Sequence, residues 1–184
     1  PGGPAAKHTA FAVAALAVFG ADRATKLWVE AALAVGERID VVPGFFHLTH
    51  VRNPGAAFGL LASASTEVKA LLFAGAAAAA LALVFVHLRT LARGERREAA
   101  ALGLIAGGAL GNAFDRMPAF GGGEVVDFLH VDLWRGYAWP DFNLADVAIV
   151  VGVVGLVVDM LAREAMSRTG APHGGGIDVD ESRS

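Results

Sequence analysis

Residues 111–146, GNAFDRMPAFGGGEVVDFLHVDLWRGYAWPDFNLAD, decide how the rest of this chain is read. The stretch holds Asp115, Asp127, Asp141 and Asp146 and lies between two runs apolar enough to enter a bilayer. Carboxylates at the edge of hydrocarbon are costly, so each needs a named partner and is a functional candidate. Asn112 precedes Asp115 by three residues, and Asn143 precedes Asp146 by three. On helices, that spacing puts amide and carboxylate on one face.

Composition sets the same frame. Of 184 residues, 55% are hydrophobic and only 18% charged, with a mean hydropathy of +0.52. Such a chain is too apolar for an ordinary soluble domain and fits an integral membrane protein. The net charge of −3, with no basic block interleaved with aromatics, gives no reason to expect a nucleic-acid partner. Cysteine is absent, which excludes disulfides and thiolate catalysis.

Working outward, the expected spans are about 142–162, 99–114, 70–88 and 9–28. The fourth begins at Phe142 and places Asp146 near its start. In the third, Gly103, Gly107 and Gly111 recur every four residues. That face suits close helix packing in a membrane, and with no preceding strand and no GK[ST] it is not a nucleotide loop. The second span runs nineteen residues to Leu88 with His87 its one polar side chain, enough to cross hydrocarbon; a buried soluble helix is the rival reading. The first carries Asp22, Arg23 and Lys26 near its end. A cleavable signal sequence must be weighed there, but an Asp22–Lys26 pair four residues apart is of no use to one.

Arg89, Arg93, Arg96 and Arg97 crowd the connection between the second and third spans, which the positive-inside rule places in the cytoplasm. Both termini then fall on the cytoplasmic side, with Arg163 and Arg168 in agreement. Residues 37–61 read differently. Ile39 to Val42, a Pro43-Gly44 turn and Phe45 to Val51 predict a small hairpin outside the bilayer. The turn Asn53-Pro54-Gly55 follows, and Phe58, Leu60 and Leu61 are placed to dip into the interface. Residues 1–166 are expected to form one domain. Residues 167–184, rich in Gly, Ser, Pro and charge, predict a disordered cytoplasmic tail.

Asp115, Asp127 and Asp146 all fall at the outer end of the third and fourth spans or between them. Two carboxylates held close share one proton and can serve as general base and general acid on one water. Spacing alone does not choose the pair. Asp115, beside Arg116, also reads as an ion-pair or capping residue, and Asp141, after Pro140, as a helix N-terminal residue. Asp159 reads as lying near the inner interface. Asp127 among Val125, Val126, Phe128 and Leu129, and Asp146 among Ala and Val, are hard to explain structurally. His47, His50 and His130 form no HExxH and make a weak metal signal, so no metal is expected. A proton-coupled transporter or ion-binding four-helix protein is the alternative, but it would spread its carboxylates through the bilayer depth.

Five motifs stand in order over residues 10–165: Asp22-x-x-x-Lys26; Asn53-Pro-Gly55-Ala-Ala57-Phe58-Gly59; Gly111-Asn112-x-x-Asp115-Arg116; Val126-Asp127-Phe128; and Phe142-Asn143-x-Ala145-Asp146. Together they resemble the bacterial lipoprotein signal peptidases, or signal peptidase II. The resemblance implies an all-α membrane protein of four transmembrane helices, with the extracytoplasmic hairpin between the first two. It further implies a cofactor-free aspartic endopeptidase of the inner membrane, acting on diacylglyceryl-modified prolipoproteins just before the lipidated cysteine. The dyad it implies is Asp127 and Asp146, near the outer face. Supporting or substrate-binding roles fall to Asp22, Lys26, Asn53, Gly55, Asn112, Asp115, Arg116 and Asn143. Membrane lipid is an expected partner, and a monomer the expected state.

Overall fold

The structure, a computed structural model, describes residues 4–55, 65–134 and 136–169. In chain order these form α1 (Pro4–Ala32), β1 (Arg38–Val42), β2 (Phe46–Asn53), α2 (Thr66–Thr90), α3 (Arg96–Asp115), the short α4 (Pro118–Gly121), β3 (Val125–Trp134), β4 (Tyr137–Phe142) and α5 (Leu144–Thr169). α5 carries on to Thr169, so the first three residues of the tail read from Ser167 are helical. Its remainder, and the Ala57–Gly59 motif with Phe58, Leu60 and Leu61, lie outside the described residues.

The helices start and stop where local chemistry dictates. Ser65 caps α2, its hydroxyl accepting from the Val68 N–H, and Glu67 sits in the first turn where the helix dipole favours an anion. At the other end Lys7, buried on α1, donates to the orphan carbonyls of Leu88 (3.0 Å) and Leu91. The lysine in the apolar first half of α1 is thus a cap for its neighbour. Pro118 opens α4 and Gly122, left-handed at φ +80°, closes it.

α3 is the central helix. A Cβ at Gly107 would stand 2.5 Å from the Ala15 carbonyl, and one at Gly103 would strike Phe11 and Ala14, all on α1. On the opposite side Gly108 meets the Ala145 backbone, and Gly152 of α5 would place a Cβ 2.7 Å from Ala101 O. Small residues let the three backbones approach this closely. α2 joins through Val84, Leu88 and Leu91, packed with Ala99, Leu102 and Ala106.

Two helices, Glu67–Thr90 and Leu144–Ser167, are long and apolar enough to cross a membrane. At 24 residues each spans about 36 Å, against roughly 30 Å of hydrocarbon. Their outer faces expose Leu71, Leu83, Val86, Val150 and Val158, a surface unfit for water. α1 and α3 carry more charge, and the charges of α1 turn inward: Asp22 and Lys26 are fully buried, while Val13 and Leu16 point out.

The expected single hairpin is a correction. β1 and β2 do pair, but β3 and β4 form a second hairpin, and all four strands join one antiparallel sheet in the order β1-β2-β3-β4. The connection before α5 is therefore a strand pair, turned at Gly136 with φ +77°, a conformation that suits glycine. Asp141 is corrected with it: it lies in β4, not at a helix start. The sheet seats on the end of α1, where Val29 and Leu33 pack against Val126 and Phe128, with Leu48, Leu129 and Leu144 around them.

The glycine seam gives a test. Gly107→Leu should cost folded, monodisperse protein in detergent and lower the thermal midpoint, because its side chain would have to displace the Ala15 backbone and Val18 Cβ of α1. Gly75→Leu on α2, which meets nothing within 4 Å, should be tolerated. Size-exclusion profiles and melting curves of the two variants make the comparison.

Candidate active site

The site is built from a buried ammonium outward. Lys26 donates to Asp22 Oδ2 at 2.7 Å and to Asn112 Oδ1 at 3.0 Å, and forms an ion pair with Asp115 Oδ2 at 2.7 Å. Asp115 also pairs with Arg23, and Asp22 Oδ1 accepts the Ala145 N–H at 3.1 Å. Two cations and two carboxylates thus balance where α1, α3 and α5 meet. The i,i+4 pairing of Asp22 with Lys26 is present, and among the described residues their other partners lie on α3 and α5 and not in the Asn53 loop. Asp115 likewise pairs across to α1 and not with its neighbour Arg116.

Lys26 orients the next shell. Because Asn112 Oδ1 accepts from Lys26, its amide NH₂ faces the other way and donates to Asp146 Oδ1 at 2.7 Å. Asn143 does the same for the second carboxylate. Its Oδ1 accepts the Asp146 N–H, and its Nδ2 donates to Asp127 Oδ1 at 2.7 Å and Asn112 Oδ1 at 3.1 Å. Asp146 Oδ2 returns a bond to the Asn143 N–H at 3.2 Å, so the two residues cap the start of α5 reciprocally. Asn53 completes the set: its Oδ1 accepts the Gly55 N–H and its Nδ2 donates to Asp127 Oδ2 at 2.9 Å.

Asp127 and Asp146 therefore come from β3 and the first turn of α5 to one cavity of about 440 Å³, shared with Asn53, Asn112, Arg116 and Asp141. Asp127 is 2% exposed, and burial pushes its carboxyl up to about 6. The Asn53 hydrogen bond opposes that rise and the charge of Asp146 adds to it. Asp146 is near enough to Asp127 to bear on its proton, as a shared-proton pair requires.

Arg116 stands between this cavity and a smaller one of about 210 Å³. Its guanidinium lies 4.2 Å over the Phe73 ring and donates to Asn112 O at 3.3 Å. Gly55 is left-handed at φ +83°, and the space a side chain would need is filled by that same Phe73 ring. Glycine there lets the loop close on α2. Gly122 and Gly123 line the smaller cavity, and Gly123 N–H donates to Asp115 O at 3.0 Å. Asp159 pairs with Arg163 at 2.7 Å, away from the site.

The histidines belong to the sheet. His47 contacts Asp40 and Asp132, His130 contacts Asp132 and Asp141, and His50 meets Leu33 O. Among the described residues, no three His, Asp or Glu side chains converge as metal ligands. Two contributors were missed in the sequence: Arg23, whose adjacency to Asp22 was the available signal, and Thr49, whose hydroxyl donates to Asp141 Oδ1 at 2.8 Å and which had none.

A family profile described as Signal peptidase (SPase) II matches residues 14–162. The chain is 40% identical over 154 residues to a lipoprotein signal peptidase of Syntrophus aciditrophicus, covering 84% of this chain and 93% of that one. It is 44% identical over 168 residues to one of Gloeobacter violaceus, covering 91% and 89%. Among solved structures, it is similar to a bacterial membrane enzyme determined by the in meso method, with a TM-score of 0.72, 30% identity, and coverage of 87% and 92%.

Two consequences are measurable. Lys26→Met leaves Asp22 and Asp115 short of a buried cation and should cost about 3–5 kcal/mol, seen as a collapse of the thermal midpoint. For Asp127, the folded pKa lies above the ordinary aspartate value, so its contribution is fully present below about pH 4 and lost as pH rises through about 6. Wild type should therefore lose on the order of 2 kcal/mol between about pH 4 and pH 8 that Asp127→Asn does not. Parallel melting-temperature series of the two proteins would show equal slopes if Asp127 is not perturbed.

Proposed function

This chain belongs to the signal peptidase II family, and we propose that it removes signal peptides from lipidated prolipoproteins with Asp127 and Asp146 as its catalytic dyad. The observation that carries this reading is the amide framework. Asn53, Asn112 and Asn143 each turn their oxygen to a backbone N–H or to Lys26 and present NH₂ to one of the two carboxylates.

In this mechanism Asp127, buried, holds the shared proton, and Asp146 carries the charge at the start of α5, where the helix dipole favours it. A water between them gives a proton to Asp146 as its oxygen attacks the scissile carbonyl, while Asp127 protonates the carbonyl oxygen. When the tetrahedral species collapses, the C–N bond breaks and Asp146 passes its proton to the leaving amine. Asp127 regains a proton from the diol. Water is thus added across the amide with the dyad restored. Asn112, Asn143 and Asn53 keep both carboxyls in place, and Arg116 faces the substrate from the cavity wall. Asp22, Lys26 and Asp115 act through Asn112.

The four long helices are read as spanning the membrane. The Arg89–Arg97 connection and both termini lie in the cytoplasm, and the sheet and cavity at the outer face. Support comes from the exposed apolar faces of α1, α2 and α5 and from the gathering of carboxylates at one end of the helices. A transporter would have them spread through the depth.

Purified protein incubated with a lipidated prolipoprotein should release a free signal peptide, detected by mass spectrometry. Asp127→Asn and Asp146→Asn should each reduce turnover by at least about 10³-fold while the protein stays folded, and the double variant should be little worse than either. Asp115→Asn should leave a damaged but measurable enzyme, and chelators should have no effect. Substantial turnover by either single dyad variant would overturn the assignment. For orientation, a reporter active only in the cytoplasm should work after Arg97 and fail near Gly122.

A further inference from the structure

The cavity holds a third carboxylate that this mechanism does not use. Asp141, on β4, lines it together with Asp127 and Asp146. One of its oxygens is doubly engaged: Oδ1 accepts the Thr49 hydroxyl at 2.8 Å and meets His130 Nδ1 at 3.0 Å. Behind it, His130 Nε2 reaches Asp132 Oδ1 at 3.2 Å, and Asp132 Oδ2 lies 3.0 Å from His47 Nε2, with His47 almost wholly buried. Arg38 pairs with Asp132 from β1 at 2.8 Å. Side chains from all four strands thus converge on one rotamer of Asp141. Among the described residues, Oδ2 has no hydrogen-bond partner, on a side chain 24% exposed.

A carboxylate braced at one oxygen and open at the other presents a fixed negative charge. With the dyad sharing one proton, Asp127 and Asp146 carry about one negative charge and Arg116 one positive. Asp141 therefore adds one unit of negative charge to the cavity, beyond what the dyad and Arg116 leave there. Its position decides which part of a substrate feels that charge. An apolar signal segment would pack against the apolar helices, whereas β4 belongs to the sheet beyond their ends; on that reading Asp141 meets the residues that follow the lipid-bearing cysteine.

We propose that Asp141 is a specificity-determining residue that selects substrates with a lysine or arginine among the first residues after the cleavage site. This rests on the function proposed above. Electrostatic complementarity of this kind discriminates between partners more than it adds affinity.

The test uses the full chain in detergent and three diacylglyceryl-modified peptides that differ only at the second residue after the cleavage site, carrying Lys, Gln or Glu. Wild type should process the Lys peptide with a kcat/KM about tenfold above the Glu peptide, with Gln between, and the ratio should shrink at high salt. Asp141→Asn should bring the ratio toward one and Asp141→Lys should invert it, which a merely structural role would not do. Equal rates of wild type on all three peptides overturn the inference without recourse to any variant. So does an Asp141→Asn protein that keeps the wild-type ratio, the outcome expected if Asp141 only accepts a backbone N–H. Failure to cleave any of the three would instead overturn the proposed function, and this inference with it.

Discussion

The structure depends on one buried ammonium. Lys26 is fully enclosed, and an isolated charge in that position would be prohibitive. It is tolerable because three acceptors surround it and because Asp22 and Asp115 balance it together with Arg23. The consequence reaches beyond charge balance. A cation can only be met by the oxygen of Asn112, so the amide nitrogen is forced toward Asp146. The orientation of a polar side chain facing the cavity is thus set by electrostatics on the far side of the helix.

The second economy of the fold is that the start of α5 and the cavity are made from the same atoms. Asn143 and Asp146 cap the helix reciprocally, and the same two side chains reach Asn112 and Asp127. Asp146 is positioned by backbone that cannot shift without unwinding the helix. Asp127 is held differently. It comes from a buried strand flanked by β2 and β4, and its two oxygens are each fixed by an asparagine from a different element. One carboxylate is helical and capped; the other is a strand residue enclosed among apolar neighbours.

Much of this was legible in the sequence, and the parts that were not have physical reasons. Long apolar runs marked the helices, and Gly103, Gly107 and Gly111 marked the packing face, because both signals are local and periodic. Asp22 and Lys26 were legible as a pair for the same reason. Their other partners, Asn112, Asp115 and the Ala145 N–H, lie far along the chain, where no spacing rule reaches. The second hairpin was hidden by irregularity. Register shifts between Leu129 and Val131 and between Asp132 and Trp134 break the period-two alternation of β3. Pro140 gives no strand signal, and it is tolerated because β4 lies at the sheet edge and Pro140 falls at a register shift. Reading Pro140-Asp141 as a helix start followed from the same omission. Lys7 as a cap for α2 had no local signature, since its acceptors are carbonyls 81 and 84 residues away.

The pairing of Asp22 with Lys26 also bears on biogenesis. During synthesis α1 emerges first, before α3 can offer Asn112 and Asp115 and before α5 can offer the Ala145 N–H. If α1 enters the bilayer then, its ionised groups have only one another, and the four-residue spacing lets one turn of helix neutralise most of the penalty by itself. Arg23, whose counter-ion Asp115 arrives two helices later, lacks that option within the span and stays partly exposed even in the finished protein. The order in which partners become available therefore matches exposure within α1: Asp22 and Lys26, paired within the helix, are fully enclosed, and Arg23, paired across to α3, is not.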